Sequence, residues 1–219
     1  MRVNKGLMIA ATFDPTKRTS LITVADMCRK IEENSISLPL YQRDISWTLQ
    51  KCIDLLNYQL WGKAPVSPIS INVINTVDSA VPQVSFIDRE IISTIERGQY
   101  SVVDGQQRLT TNYKAYCNHD DFRNIVLDLG KGEFTEVRDS IRSNQIPVGI
   151  LLNKEDTKLF EYTKAKSALG SADVLSVLLQ VRSKMRNYNY TLNSAEDLTE
   201  DEQIEWFEVL NNAGSRVSI

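Results

Sequence analysis

Histidine is almost missing from this chain: His119 stands alone among 219 residues. Zinc hydrolases built on several histidine ligands are therefore excluded, and a Ser-His-Asp triad has one place to form, around His119. An HNH-type nuclease, which needs at least two histidines, is excluded with them. Cysteine is sparse too. Cys28, Cys52 and Cys117 lie far apart and form no Cys-x-x-Cys pair. That spacing reads as reduced thiols in an intracellular, cytoplasmic protein, not as a disulfide framework or a zinc site. No run of about 18 apolar residues occurs, so no membrane span is expected. The stretch from Met1 to Phe13 lacks the apolar core and cleavage site of a signal peptide. Excess positive charge is also lacking. A net charge of −3 argues against a global nucleic-acid clamp and leaves room only for a local basic face.

What is present suggests one domain of α+β class, with helices gathered toward the carboxyl-terminal half. Residues 1–18 read as an arm, 19–150 as the core and 151–219 as a helical portion completing the same domain. A helix capped by Thr19 or Ser20 is expected through about Glu33, and a second, capped by Ser46, from Thr48 to Trp61, stopped by Gly62. Between them, Pro39 keeps Leu38 to Arg43 extended. Ile69 to Ile74 reads as a strand, with a loop over 75–85. Glu90–Ile95 and Tyr100–Val103 read as a hairpin turning at Gly98. A helix then runs from Gln106 to Tyr116. Asn124–Leu129 and Phe134–Val137 read as strands, and 145–152 as a short extended piece. Helices are expected over 154–168, 172–187 and 200–210. In the middle one, Val174, Leu175, Leu178, Leu179, Arg182 and Met185 form a core-facing stripe.

The segment Val103-Asp104-Gly105-Gln106-Gln107-Arg108-Leu109-Thr110-Thr111 carries the chemistry. A strand that ends in Asp-Gly and feeds a helix gathers unsatisfied backbone N–H groups at the positive end of the helix dipole, where a phosphate is favoured. Gly105 permits the bend and a close approach. Gln106 and Gln107 add neutral donors, Arg108 a forked cation, and Thr110 and Thr111 hydroxyls. Asp104 could instead help hold Mg²⁺ through water. A structural alternative stands beside this. Asp104 followed by Gln107 also makes a capping box, and for these residues taken alone it is the simpler reading.

The same segment resembles the signature of the ParB-like DGQQR family, the amino-terminal domain of GmrSD-type modification-dependent restriction enzymes and related phage-defence proteins. Two further segments support the resemblance in the family's order. Leu38-Pro39-Leu40-Tyr41-Gln42-Arg43-Asp44-Ile45-Ser46-Trp47 is similar to its P-x-Y-Q-R-x-x-S-W stretch, and Trp206-Phe207-Glu208-Val209-Leu210-Asn211-Asn212-Ala213-Gly214 to its F-x-x-L-N-x-x-G stretch. Together they bracket residues 38–214. Asp44 departs from the family, where many members carry proline.

The resemblance implies a ParB/sulfiredoxin-like core and use of a nucleoside triphosphate with Mg²⁺. Asp104, Gln107 and Arg108 carry over as the hydrolytic centre, with Asp104 the metal candidate. Gly105, Gln106 and Thr110 carry over as phosphate contacts, Tyr41, Gln42 and Arg43 as a second wall, and Asn211 and Gly214 as a third contact. It further implies a sensor or regulatory NTPase of a restriction or phage-defence system. Such a chain is not a nuclease by itself and acts with a nuclease-bearing partner or a further carboxyl-terminal domain, with DNA, and as a homodimer. A non-catalytic DNA- or protein-binding module, such as a partner subunit or phage-borne decoy, is the alternative.

Other features read more simply. His119-Asp120-Asp121 lacks metal-ligand spacing and reads as a capped turn. Trp47 and Trp61 flank the second helix as packing residues. Arg182, Lys184 and Arg186 suit a helix carboxyl end, with DNA phosphate contact as the sharper reading. Glu196 and Asp197, with Glu200, Asp201 and Glu202, suit the start of the last helix.

Overall fold

The computed structural model describes residues 3–13, 18–42 and 47–212. The expected Ser46 cap, Arg43 and Gly214 lie outside these. Helix α1 (Lys5–Ala10) precedes strand β1 (Arg18–Thr23), helix α2 (Val24–Glu32) and strand β2 (Ile36–Pro39). Helix α3 (Leu49–Trp61) leads to β3 (Ile69–Ile74), the short β4 (Gln83–Val84) and β5 (Gln99–Asp104), which runs into α4 (Gln106–Tyr116). Then come β6 (Ile125–Asp128), β7 (Glu133–Glu136), β8 (Gln145–Pro147) and the single turn α5 (Val148–Leu151). Helices α6 (Asp156–Ala165) and α7 (Ala172–Arg186), strand β9 (Asn189–Glu196) and helix α8 (Glu200–Asn212) complete the α+β order.

Two sheets form. The larger has the order β1-β9-β3-β5-β2-β4, and the smaller is β7-β6-β8. In the larger sheet β5 lies antiparallel to β3 and parallel to β2, and β9 lies parallel to β3. Each sheet backs its own apolar core. Met27, Cys28, Ile31, Leu38, Ile69, Ile71, Val102 and Leu192 fill the first. Leu56, Ile125, Leu127, Phe134, Leu159 and Leu178 belong to the second. Helix α4 joins them, because Leu109 packs into the first and Ala115 into the second. The first turn of α4 is therefore fixed in the first core through Leu109, and its last turn in the second through Ala115.

Several expectations need correcting. Residues 19–23 do not begin a helix. They form β1 against β9, and Thr23 is the cap of α2, its hydroxyl accepting from the Asp26 amide at 3.0 Å. Thr48 caps α3. Glu90–Ile95 is not a hairpin arm. It touches the sheet through one isolated bridge, Val84 to Ile91, while β5 pairs with β3 and β2. The reason lies in burial: Val102 and Val103 are fully buried, which suits a central strand, whereas Ile91 is exposed. Gly98 does turn with φ +87, but its N–H donates to Ile74 O at 2.7 Å and so serves β3. Residues 148–151 form α5 instead of extending β8. The stripe on α7 narrows to Leu178, Arg182 and Met185 as buried members; Leu179 is exposed.

The acidic stretch divides. Glu196 ends β9, and Asp197 turns the chain at φ 49, accepting from the Asn75 and Thr76 amides at 2.7 and 2.8 Å. Those bonds hold its carboxyl below the usual carboxylate range. Thr199 and Glu202 then form a capping box for α8, with Thr199 N donating to Glu202 Oε2 at 2.8 Å. Among the described residues no helix is long and apolar enough to cross a membrane.

Candidate functional site

The strand-to-helix junction is built on Gly105, which takes φ +100 at the start of α4. A side chain there would be strained, and its Cβ would overlap the Ile69 side chain. Both Arg108 N and Leu109 N turn back to Gly105 O, at 3.1 and 3.2 Å. The N-cap residue, Gly105, offers no side chain to cap the helix. The expected Asp104–Gln107 capping box is thus not formed, because Gly105 takes the cap position and the Asp104 carboxylate is drawn elsewhere. The amide of Gln106 precedes the first intrahelical acceptor, at the positive end of the dipole.

Asp104 Oδ2 accepts from Arg108 Nη2 at 3.1 Å. Arg108 also donates through Nη2 to Pro68 O at 3.2 Å and through Nη1 to Ser67 O. Its side chain is only 12% exposed, against 31% for Asp104. The motif arginine therefore fastens the start of β3 to the junction. Among the described residues Asp104 Oδ1 accepts no bond, so one carboxylate oxygen stays open. Gln107 Oε1 accepts from the Trp47 amide at 2.9 Å, which ties the loop before α3 to the site.

Of the three residues the resemblance implied as a second wall, Gln42 lies against the end of β5. Its Nε2 donates to Val102 O and Val103 O, at 2.7 and 2.9 Å, on the last residues of β5. Gln42 Oε1 and Thr110 Oγ1 are buried without a partner among the described residues. Tyr41 reaches α8 instead, its hydroxyl donating to Gln203 Oε1 at 3.3 Å. Burial, and then Glu200, push the Tyr41 phenol up to about 12, so it stays a neutral donor. Gln203 Nε2 donates to Leu198 O. Asn211 bonds to Phe207 O within its own helix. It sits eight residues past Gln203, about 12 Å along the axis.

Sequence reasoning missed three supports. Tyr190, from a strand that was not expected, accepts from Gln59 Nε2 at 2.9 Å and from Asn112 Nδ2 at 2.8 Å. Asn112 also donates to Arg108 O, so Tyr190 anchors α4. Gln203 receives Tyr41. Arg89 donates through Nη2 to Gln42 O at 2.7 Å. Only the alternation of Tyr190 and Leu192 with polar neighbours signalled β9. Nothing local marked Arg89, which lies between Asp88 and Glu90.

The remaining charged features have partners in the fold. Arg182 is buried and donates to Leu151 O, Asn153 O and Asp156 Oδ1; Arg186 shares Asp156, and Lys184 Nζ donates to Leu60 O. Burial lowers the Arg182 pKa, partly offset by Asp156. The basic run is therefore committed to packing. His119 Nδ1 accepts from the Asp121 amide at 3.2 Å in a capped turn. Among the described residues no group of three His, Cys, Asp or Glu is placed to hold a metal. Trp47 packs against the second core, and Trp61 donates to Gly132 O.

The molecule is an α+β domain whose central strand β5 leads through Gly105 into α4, with Gln42 bonded to the end of that strand. A family model described as the N-terminal domain of GmrSD restriction endonuclease matches residues 24–218, and the chain belongs to that family. Its context is accordingly a restriction, phage-defence system. No curated protein matches the chain.

Proposed function

We propose that the domain binds a nucleoside triphosphate at the amino end of α4 and hydrolyses it as a sensor or regulatory step of its restriction system. The observation that carries this reading is the α4 start at a left-handed Gly105, without a side-chain cap from its N-cap residue, beside the Gln42 side chain. The amide of Gln106 would face the phosphates, with Thr110 behind it. Arg108 would act through Asp104, whose position it sets.

One carboxylate suits Mg²⁺ here, since this ion commonly takes one or two carboxylates and completes its shell with water and phosphate oxygens. Asp104 Oδ1 would hold it, directly or through water; the ion would neutralise charge on the phosphate tail. In the proposed mechanism Gln107 orients and the helix start binds. The outcome of turnover would bias a nuclease-bearing partner or further domain, or a DNA-bound state, by population shift. A ParB-like core and a homodimer belong to the same proposal.

The test is calorimetry with ATP, GTP, CTP and UTP in Mg²⁺, on the wild type and on Gln106→Glu. A carboxylate in the first turn favours the helix dipole, so the fold tolerates it, yet it repels a phosphate at that point. The expected result is micromolar binding of one nucleotide, lost in the variant. A folded wild type that binds none of the four sinks the reading. The second reading, a non-catalytic DNA- or protein-binding module, then takes its place; the commitment of Arg108 to protein acceptors favours it.

A further inference from the structure

Trp61 does not bury its ring, contrary to the packing role read from the sequence. It is 67% exposed, and Tyr58, one turn earlier on α3, is 41% exposed. Residues at this spacing are neighbours on a helix surface, so the two rings share one outward face. The indole is nevertheless fixed. Its Nε1 donates to Gly132 O at 2.8 Å, and the same edge, at Cζ2, faces the Gly132 backbone. One edge is thus anchored on the turn between β6 and β7, and the rest of the ring stands in water. An exposed apolar patch with a polar rim marks an interaction surface.

The charge beside it is mainly cationic. Lys63 follows Trp61 by two residues and is exposed. Lys131 adjoins Gly132, has 58% of its side chain exposed, and meets Glu133 only at 3.9 Å. Lys184 Nζ donates to Leu60 O and so covers the carbonyl end of α3, which would otherwise repel an anion. Asp54, one turn before Tyr58, is engaged by Gln50 Nε2 at 2.8 Å. The whole chain carries a net charge of −3, so this cationic rim is a local feature.

We infer that Trp61 and Tyr58 form a stacking platform for an unpaired base of single-stranded DNA, with Lys63 and Lys131 on the adjoining phosphates. Single strands are held by this combination, since bases stack on aromatic rings while positive charge tracks the backbone. A base inside a duplex is already stacked and has no free face to offer. The platform is separate from the start of α4. Trp61 lies about 18 Å along α3 from Leu49, the end at which the Trp47 amide meets Gln107. Stacking there needs no nucleotide at α4.

The experiment follows the fluorescence anisotropy of a labelled oligothymidylate and of a duplex of the same length, at low salt and without nucleotide. The proteins are the wild type, Trp61→Ala, Trp61→Phe and Lys131→Ala, with thermal melts to confirm folding. The wild type should bind the oligothymidylate more tightly than the duplex. Trp61→Ala should weaken the oligothymidylate about tenfold, within the range for one lost base–aromatic stack, and leave the duplex nearly unchanged. Trp61→Phe lacks the bond to Gly132 but keeps a ring, and should retain most of the affinity. Lys131→Ala should flatten the slope of log affinity against log salt concentration by about 0.7, one phosphate contact on a single strand. If Trp61→Ala does not fold, emission decides: oligothymidylate should quench the indole emission of the wild type, and much less that of Trp61→Phe, although that variant still binds. Equal losses in Trp61→Ala and Trp61→Phe would mean that Trp61 only anchors the turn, and would overturn the inference. Unaltered affinity in Trp61→Ala, or a wild type that prefers the duplex, overturns it too. A wild type that binds no oligothymidylate also overturns it and leaves this face to a protein partner.

Discussion

Arg108 Nη2 lies 3.1 Å from Asp104 Oδ2, and the same guanidinium holds the carbonyls of Ser67 and Pro68. Two residues of one motif are therefore bound to each other, and the arginine spends its donors on the fold. Arg108→Ala leaves two carbonyls and a carboxylate without their donor and should cost about 2–3 kcal/mol of stability. Asp104→Asn, which keeps an acceptor near Arg108, should cost about 1 kcal/mol. Urea denaturation of the two variants gives the comparison. Equal, negligible losses would mean that the contacts contribute nothing in solution.

Gly105→Ala places a Cβ against Ile69 at a backbone angle that alanine avoids. The expected loss is about 2 kcal/mol or more, from strain and overlap together. Pairing it with Ile69→Val should restore part of that loss, because the overlap is with the isoleucine side chain. A double-mutant cycle with no coupling would show that backbone strain accounts for the whole effect.

Asp128 organises the turn between β6 and β7. Its carboxylate accepts from Gln145 Nε2 at 2.7 Å, and from the amides of Gly130 and Lys131 and from Asn144 Nδ2 at 2.9 to 3.1 Å. The Gln145 bond first, and the backbone amides after it, hold its pKa below the usual carboxylate value. The folded pKa is depressed, so the stabilisation is complete above the unfolded value, about 4. It is lost as pH falls through the folded pKa. The stability gap between wild type and Asp128→Asn should thus be widest near neutrality and close below about pH 4. Denaturation curves across that range test the claim, and a gap that does not vary with pH would refute it.

How much of this was legible beforehand differs by element. The strand at Ile69–Ile74 and the helix at Gln106–Tyr116 stand where periodicity and Gly105 put them. Strand β9 escaped because Asn193, Ser194 and Ala195 dilute the alternation carried by Tyr190 and Leu192. The error at Glu90–Ile95 has another cause: a local pattern reports extended backbone but not which strand will accept its hydrogen bonds. In the site, residue types were legible and their partners were not. Nothing in the motif says that Arg108 would be taken by Ser67 and Pro68, some forty residues earlier. Arg89 becomes visible only when a carbonyl at Gln42 meets it in space.

The thiols give a further check. Cys28 is fully buried, and burial raises its pKa well above the ordinary thiol value. Burial also raises Cys52 and Cys117. None offers an activated thiolate at neutral pH. An aromatic disulfide reagent at pH 7.5 should react slowly with the native protein, first at the partly exposed Cys117, and titrate all three thiols on unfolding. Rapid native reaction at Cys28 would contradict the packing.

Strand β9 lies between β1 and β3, although the chain makes both of those long before it. During synthesis, β1 has no neighbour until residues 189–196 have left the ribosome, and the Tyr190 hydroxyl that anchors α4 arrives with them. The junction at Gly105 is thus completed only by a segment far downstream of it, through contacts of long sequence separation that form slowly. A nascent chain stopped before residue 189 carries the whole motif but lacks the strand that sets it.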